Sequence, residues 1–423
     1  MMKVIRAAAT IGVLVVAWTT LVLTAALQGW FVKPLAPRDD AAAFMAAVEH
    51  RAEHAGIGNC AIALIRNGRV FDTFVYSIGT PVGDHTLFQM ASDSKWVTSW
   101  GVMALVEQGK LDLDAPVSRY LTRWQLPPSK FANDGVTVRR LLSHTAGLTD
   151  GLGYLGFAPG VTPQTLEESL TFAADRMPGA DGHVRVGHAP GSRWQYSGGG
   201  YTLLQLLIEE VTHDSFAHYM QHAVFAPLRM ADTTFDHDAA AAGNIATFYG
   251  PDLKPAIHYR FTALAAASLY STLNDLERFV LAHLPGPDGE PSGRGELKPG
   301  TLEAMRVPEA RVLRHDIWGL GTMLYAKDAS GGYVFGHDGE NYPAINHAVR
   351  IDAATRNAFI VLSTGNDQFA SQLAAQWVFW ETGNVDFIGF ASHLTQLLRP
   401  AAIGAGMILL GGIGWFRRRR KPH

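Results

Sequence analysis

The chain has 423 residues, 48% of them hydrophobic and only 17% charged, so it can bury a large core and is too apolar to be disordered. Its formal net charge of −3, with no internal basic run, gives no argument for a nucleic-acid partner. A single cysteine, Cys60, excludes an internal disulfide and leaves the compartment undecided.

Lys3 and Arg6 precede an uncharged run over residues 7–27, a length suited to a bilayer, and Trp30 would sit at the interface. Residues 1–30 therefore read as a membrane anchor or signal. Thr24-Ala25-Ala26 is a passable cleavage site, but the run exceeds a typical signal core, which favours an uncleaved anchor. Residues 31–40 read as a linker and 41–55 as a helix packed on the domain. Two β-like runs over 61–76 surround Asn67-Gly68, a strong hairpin turn signal, and Cys60 opens the first as a buried small hydrophobe.

Ser92-Asp93-Ser94-Lys95 follows. Trp96, Trp100 and Met103 recur at helical spacing and Gly109 marks a stop, so Ser92 stands at a helix N-terminus with Lys95 on the same face. This spacing gives a hydroxyl its own amine base, and the helix dipole favours negative charge developing beside it. The plainer alternative is a Ser N-cap followed by a first-turn Lys.

Sequence from 92 to about 284 is helical and loop-rich. Within it Gln195-Tyr196-Ser197-Gly198-Gly199-Gly200 precedes a helical run; a phenol near a Lys and a Ser can relay a proton, while a core Tyr beside a glycine turn is the simpler reading. Strand character returns at 333–336, 345–351 and 358–363, and Phe335-Gly336-His337-Asp338-Gly339 lies on the first of these, where a Gly permits close approach of a substrate. A helix is expected at 372–380. Strands at both ends of the body with helices between predict an α+β fold: an antiparallel sheet flanked by helices, with an inserted helical lobe. The body is expected as one domain over 41–384, followed by a linker over 385–400. Residues 401–416 are uncharged and apolar, and Arg417-Arg418-Arg419-Arg420-Lys421 follow, which predicts a second membrane helix with a basic cytoplasmic tail. Basic residues at both ends predict a hairpin with the body outside the cytoplasm; a soluble amphipathic C-terminal helix is the alternative.

Three short motifs in this order make the chain resemble the serine β-lactamase superfamily in its class C-like branch, which holds class C β-lactamases, DD-carboxypeptidases, D-aminopeptidases and esterases. The resemblance covers nearly the whole body and includes Leu141-Leu142-Ser143-His144-Thr145-Ala146-Gly147-Leu148 and Trp318-Gly319-Leu320-Gly321. It implies that Ser92 is the acylated nucleophile, Lys95 its proton partner and Tyr196 the Tyr of a Tyr-x-Asn element. His337-Asp338-Gly339 matches the branch's His-x-Gly element, with backbone N–H groups of Ser92 and Glu340 as an oxyanion hole. Two departures stand out. Gly198 replaces the Asn of Tyr-x-Asn, and the acidic Asp338 and Glu340 would repel a carboxylate substrate.

His144 reads as a packing residue. His218 and His222 are four apart on a helix but lack a third ligand, so no metal is expected, and no cofactor is implied. The sequence thus predicts a membrane-anchored serine hydrolase acting on a small ester, amide or peptide, at a bacterial cytoplasmic membrane with the catalytic body outside. A D-amino-acid peptidase, DD-carboxypeptidase or β-lactamase is the enzymatic alternative, and a non-catalytic sensor or scaffold the other; the natural substrate and the oligomeric state stay open.

Overall fold

A computed structural model describes residues 2–55, 58–151, 153–250, 252–342, 345–392 and 394–419. Ten strands run in chain order: β1 (Cys60–Arg66), β2 (Arg69–Tyr76), β3 (Phe88–Gln89), β4 (Tyr270–Ser271), β5 (Ala310–Val312), β6 (His315–Trp318), β7 (Met323–Lys327), β8 (Tyr333–Asn341), β9 (Ile345–Asp352) and β10 (Asn357–Thr364). Eight of them form one antiparallel sheet in the order β2-β1-β10-β9-β8-β7-β6-β5, and β3 pairs with β4 apart from it.

Asn67 and Gly68 both have positive φ, 54° and 75°, the conformation that closes a two-residue hairpin between β1 and β2. β1 then pairs with β10 from Cys60↔Ser363 to Ile65↔Ala358, so the first and last strands of the body are neighbours. Side chains of β1 alternate between two cores. Ala61, Ala63 and Ile65 face the helical region with Trp96, Trp100 and Phe279. Cys60, Ile62 and Leu64 face the Ala41–His54 and Phe369–Thr382 helices with Phe44, Trp377 and Trp380. Burial on both faces explains why residues 60–65 form an unbroken apolar run. It also pushes the Cys60 thiol up to about 12, which leaves it inert at neutral pH.

Between β3 and β4 lies the helical part, centred on the Asp93–Glu107 and Gly198–Thr212 helices. The first is buried along almost its whole length, and Gly109, at φ 69°, closes it. Its N-terminus abuts β8, and the loop entering the second lies on the other side of the same cleft.

The Met2–Leu27 and Leu394–Arg419 helices contain segments long and apolar enough to cross a membrane, Ala8–Leu27 with mean hydropathy 2.1 and Leu398–Trp415 with 1.3. They pack antiparallel: the Trp18 indole donates to Pro400 O at 3.3 Å, a Cβ on Gly404 would meet Trp18, and one on Gly412 would meet Ile11. Met2 and Arg419 therefore end on the same side. Length and composition are weak support for spanning, because a signal sequence passes the same test. The expected linker over 385–400 is a correction: helix Phe387–Ser392 occupies it and the last helix begins at Leu394, within what the apolar count treated as connector. Arg420 and Lys421 of the basic tail lie outside the described residues.

Candidate active site

Ala91 has φ 46°, a conformation that non-glycine residues adopt at a cost, and it turns the chain so that Ser92 opens the Asp93–Glu107 helix. Ser92 makes no side-chain capping bond. Its Oγ lies instead 3.1 Å from Lys95 Nζ and accepts from Tyr196 OH at 2.9 Å. The capping alternative for this Ser-x-x-Lys is thereby removed. Among the described residues nothing accepts the Ser92 N–H, and Ser92 lines the cleft.

Lys95 is 1% exposed. Its Nζ donates to Ala266 O at 2.7 Å and lies 4.9 Å and 5.9 Å from the Tyr196 and Tyr201 ring centres. Loss of hydration outweighs the pull of Asp150 and Asp93, and brings the amine down to about 7. Near neutral pH a large fraction of Lys95 is therefore a free base. Burial drives Tyr196 the other way, well above the ordinary phenol range, with the Ser92 hydrogen bond opposing. Tyr196 thus keeps its proton at neutral pH and is a donor.

Tyr196 is held from below. The His144 ring lies 4.4 Å from it, His144 Nδ1 accepts from Ser197 N–H at 3.2 Å, and Trp318 meets it edge-on at 5.8 Å. His144, expected as packing, packs against the site itself. At Gly198 a Cβ would lie 3.0 Å from the Tyr154 ring, so the space an Asn would need is filled by Tyr154. That is the physical content of the first departure.

β8 forms the opposite wall. Its pairing with β7 ends at Met323↔Gly336, while pairing with β9 continues to Asn341↔Ile345. Residues 337–341 consequently have one edge without a strand neighbour, where main-chain groups can meet a ligand. Gly339 is obligatory: a Cβ there would lie 2.3 Å from Met90 O and 2.9 Å from Asp93 Oδ2. His337 is buried, 3.6 Å from the Asp93 carboxylate, and burial with the nearby Lys95 lowers it to about 3, so it is neutral. Asp93 is fully buried with neither oxygen hydrogen-bonded, and burial pushes it well above the usual carboxylate range.

The two acidic residues behave differently. Asp338 pairs with buried Arg350, which also binds Asp386 at 3.0 Å, and accepts from Tyr325 OH at 3.1 Å; Arg350 lies 3.4 Å over the Tyr325 ring. Arg350 offsets part of the Asp338 charge and so weakens the repulsion expected of it, while burial and that charge together still raise Asp93 and Glu340. Glu340 is exposed and has no cationic partner among the described residues. Asp367 lines the same cleft, a volume of about 540 Å³ that also reaches Met177, Met323 and Ile388. The sequence offered no sign of Arg350 or Asp386, because their role depends on pairing between β8 and β9 and on a loop residue 36 positions beyond Arg350, just before helix Phe387–Ser392.

Residues 44–378 match the family model described as Beta-lactamase. The chain is 25% identical to Protein flp of Staphylococcus aureus over 260 residues, covering 57% of this chain and 48% of that protein. It thus spans about half the length of the curated relatives it matches. The solved octameric penicillin-binding protein homologue from Pyrococcus abyssi is similar with a TM-score of 0.63 and 22% identity, over 80% of this chain and 76% of that one. The D-amino acid amidase from Ochrobactrum anthropi SV3, solved with L-phenylalanine, gives 0.61 at 21% identity, over 79% and 96%. Both likenesses are of fold.

Arg350→Ala would leave Asp338 and Asp386 without their cation, and is expected to lower unfolding stability by about 3–5 kcal/mol in chemical denaturation. A loss below about 1 kcal/mol would show that the cluster is hydrated rather than dry.

Proposed function

The chain belongs to the beta-lactamase family, and from that premise we propose that it is a membrane-tethered serine hydrolase that cleaves an ester or amide through an acyl-enzyme on Ser92. The observation that carries this reading is the Lys95 amine, dry and brought down to about 7 so that a substantial share is free base at neutral pH, 3.1 Å from a Ser92 hydroxyl that does no capping work. With Ala266 O taking one Lys95 hydrogen, the nitrogen lone pair is free to face Ser92.

In this mechanism Lys95 takes the Ser92 proton as Oγ attacks the carbonyl carbon. The charge that builds on the carbonyl oxygen is met by the N–H groups of Ser92 and Glu340; such a donor lowers a barrier by roughly 3–4 kcal/mol. Tyr196, still protonated, gives its proton to the leaving alkoxide or amine and is reprotonated from Lys95. Water then enters, loses a proton to the same pair, and releases Ser92. His337, Asp338 and Gly339 shape the wall along which the substrate lies.

A finer reading concerns substrate charge. Glu340 and Asp367 line the cleft with no cationic side chain paired to them among the described residues, which favours a substrate with a free amine near the scissile bond. Tethering rests on the two packed apolar helices and on the basic residues at both ends of the sequence, with the body outside the cytoplasm.

Ser92→Ala is expected to abolish labelling by a fluorophosphonate, read by intact mass, in a chain that still melts cooperatively. Because the base form of Lys95 is the active one, wild-type labelling should rise with pH through about 7 and level off above it. Equal labelling of the variant would remove Ser92 from the chemistry.

An amino-acid ester with a free α-amine should have at least about a tenfold higher kcat/KM than its N-acetyl counterpart, one full charge pair in a partly dry cleft being worth about 1.4 kcal/mol or more. Glu340→Gln should shrink that ratio. A preference for carboxylate-bearing cephalosporins over short esters would contradict it. For the tether, the full chain should stay with membranes through carbonate washing; its release into the wash would argue for a peripheral protein.

A further inference from the structure

Asp150 is buried on the loop that also carries His144, 55 residues after Lys95 in the chain, and its carboxylate grips the segment bearing Tyr196. One oxygen accepts from Ser197 Oγ at 2.5 Å and the other from Gly199 N–H at 2.8 Å. Ser197 Oγ in turn caps the Gly198–Thr212 helix by accepting from Gly200 N–H at 2.8 Å. A Cβ on Gly199 would lie 2.9 Å from Asp150 Cγ, so the carboxylate is seated against the backbone it holds. From the other side His144 O accepts from Gln195 N–H at 2.8 Å and His144 Nδ1 from Ser197 N–H. Residues on both sides of Tyr196 are thus fixed by one loop, and Tyr196 has little freedom to leave Ser92 Oγ.

We propose that Asp150 is a positioning residue for the hydrolytic reaction, clamping Ser197 and Gly199 so that Tyr196 stays on Ser92, with its buried negative charge acting on the Lys95 amine from that seat. The proposal rests on the roles given above to Ser92, Lys95 and Tyr196. A neutral side chain could supply the hydrogen bonds alone; what a carboxylate adds is charge, and burying one is costly unless it is used.

The surroundings of Lys95 identify Asp150 as the anion that matters. Asp93, on the same helix, is pushed by burial and by Asp338 toward its neutral acid. His144 and His337 are both driven neutral by burial and by Lys95. Tyr196 and Tyr201 keep their protons, and Asp338 is tied to Arg350. Asp150 is raised by burial only to about 6, because the bonds from Ser197 and Gly199 oppose it, so it is ionised at neutral pH.

Asp150→Asn keeps the shape and removes the charge. It should lower kcat on a small neutral ester about 10- to 100-fold with KM changed less than about threefold, the scale of a misplaced catalytic group. The acidic limb of its pH profile should move to lower pH, since an anion that favours the Lys95 ammonium is gone. Ser197→Ala keeps the charge and should lower kcat with the limb in place; on a Tyr196→Phe background it should have no further effect, because both act through one phenol. It carries the test of the clamp if Asp150→Asn does not fold. A folded variant of either kind within about twofold of wild type, or a Ser197→Ala loss that persists in full on Tyr196→Phe, would overturn the clamp. An unmoved limb in Asp150→Asn would overturn the electrostatic half. Fluorophosphonate labelling of wild type separates this from the parent reading: no labelling overturns both, and labelling equally fast in Asp150→Asn overturns the clamp alone.

Discussion

An ammonium group taken out of water loses its hydration, and what replaces that water decides whether it stays charged. Around Lys95 the replacements are a main-chain carbonyl, a hydroxyl and two aromatic rings, while the Asp150 carboxylate is held by its own hydrogen bonds to Ser197 and Gly199. The same dryness that frees the Lys95 lone pair keeps the Tyr196 proton in place. Base and acid are thus separated by environment rather than by residue type, which is the condition a two-group proton relay requires.

Dryness must be built. The Asp93–Glu107 helix lies inside the molecule with Trp96 and Trp100 fully buried, and the Ala266 carbonyl comes from the helical turn facing it. β8 closes the remaining side, near enough to the helix start that only glycine fits at 339. The free edge of β8 beside Ser92 carries function, while its other edge is pinned to β9 and its underside to Arg350, Asp386 and Tyr325. A wall that lacks a neighbour on one edge is thereby held from behind by a buried ionic cluster.

Much of this was legible from local pattern. The Asn67-Gly68 turn, the doubly buried run at 60–65, the Ser92 helix and the strands around 345–351 and 358–363 each depend on neighbours a few residues away, and each is present. Short strands β5, β6 and β7 were not legible: three to five residues with mixed burial give no period to count, and they exist because β8 offers β7 an edge on which β6 and then β5 add in turn. In the site, Ser92 and Lys95 could be read because helical spacing brings them together. The pairing of Asp338 with Arg350, the seat of Asp150 under Ser197 and the Tyr154 ring over Gly198 connect residues 12 to 47 apart through strand register and loop packing, and nothing local announces them.

The account turns on the charge state of one amine, and that can be observed directly. In full-length protein labelled with ¹⁵N at lysine side chains, and with Lys95→Arg to assign the signal, the Lys95 nitrogen should titrate near 7, well below the ordinary lysine range. A Lys95 signal that stays in the ammonium form up to about pH 9 or beyond would contradict the account, because the group beside Ser92 would then be a cation with no lone pair to accept its proton.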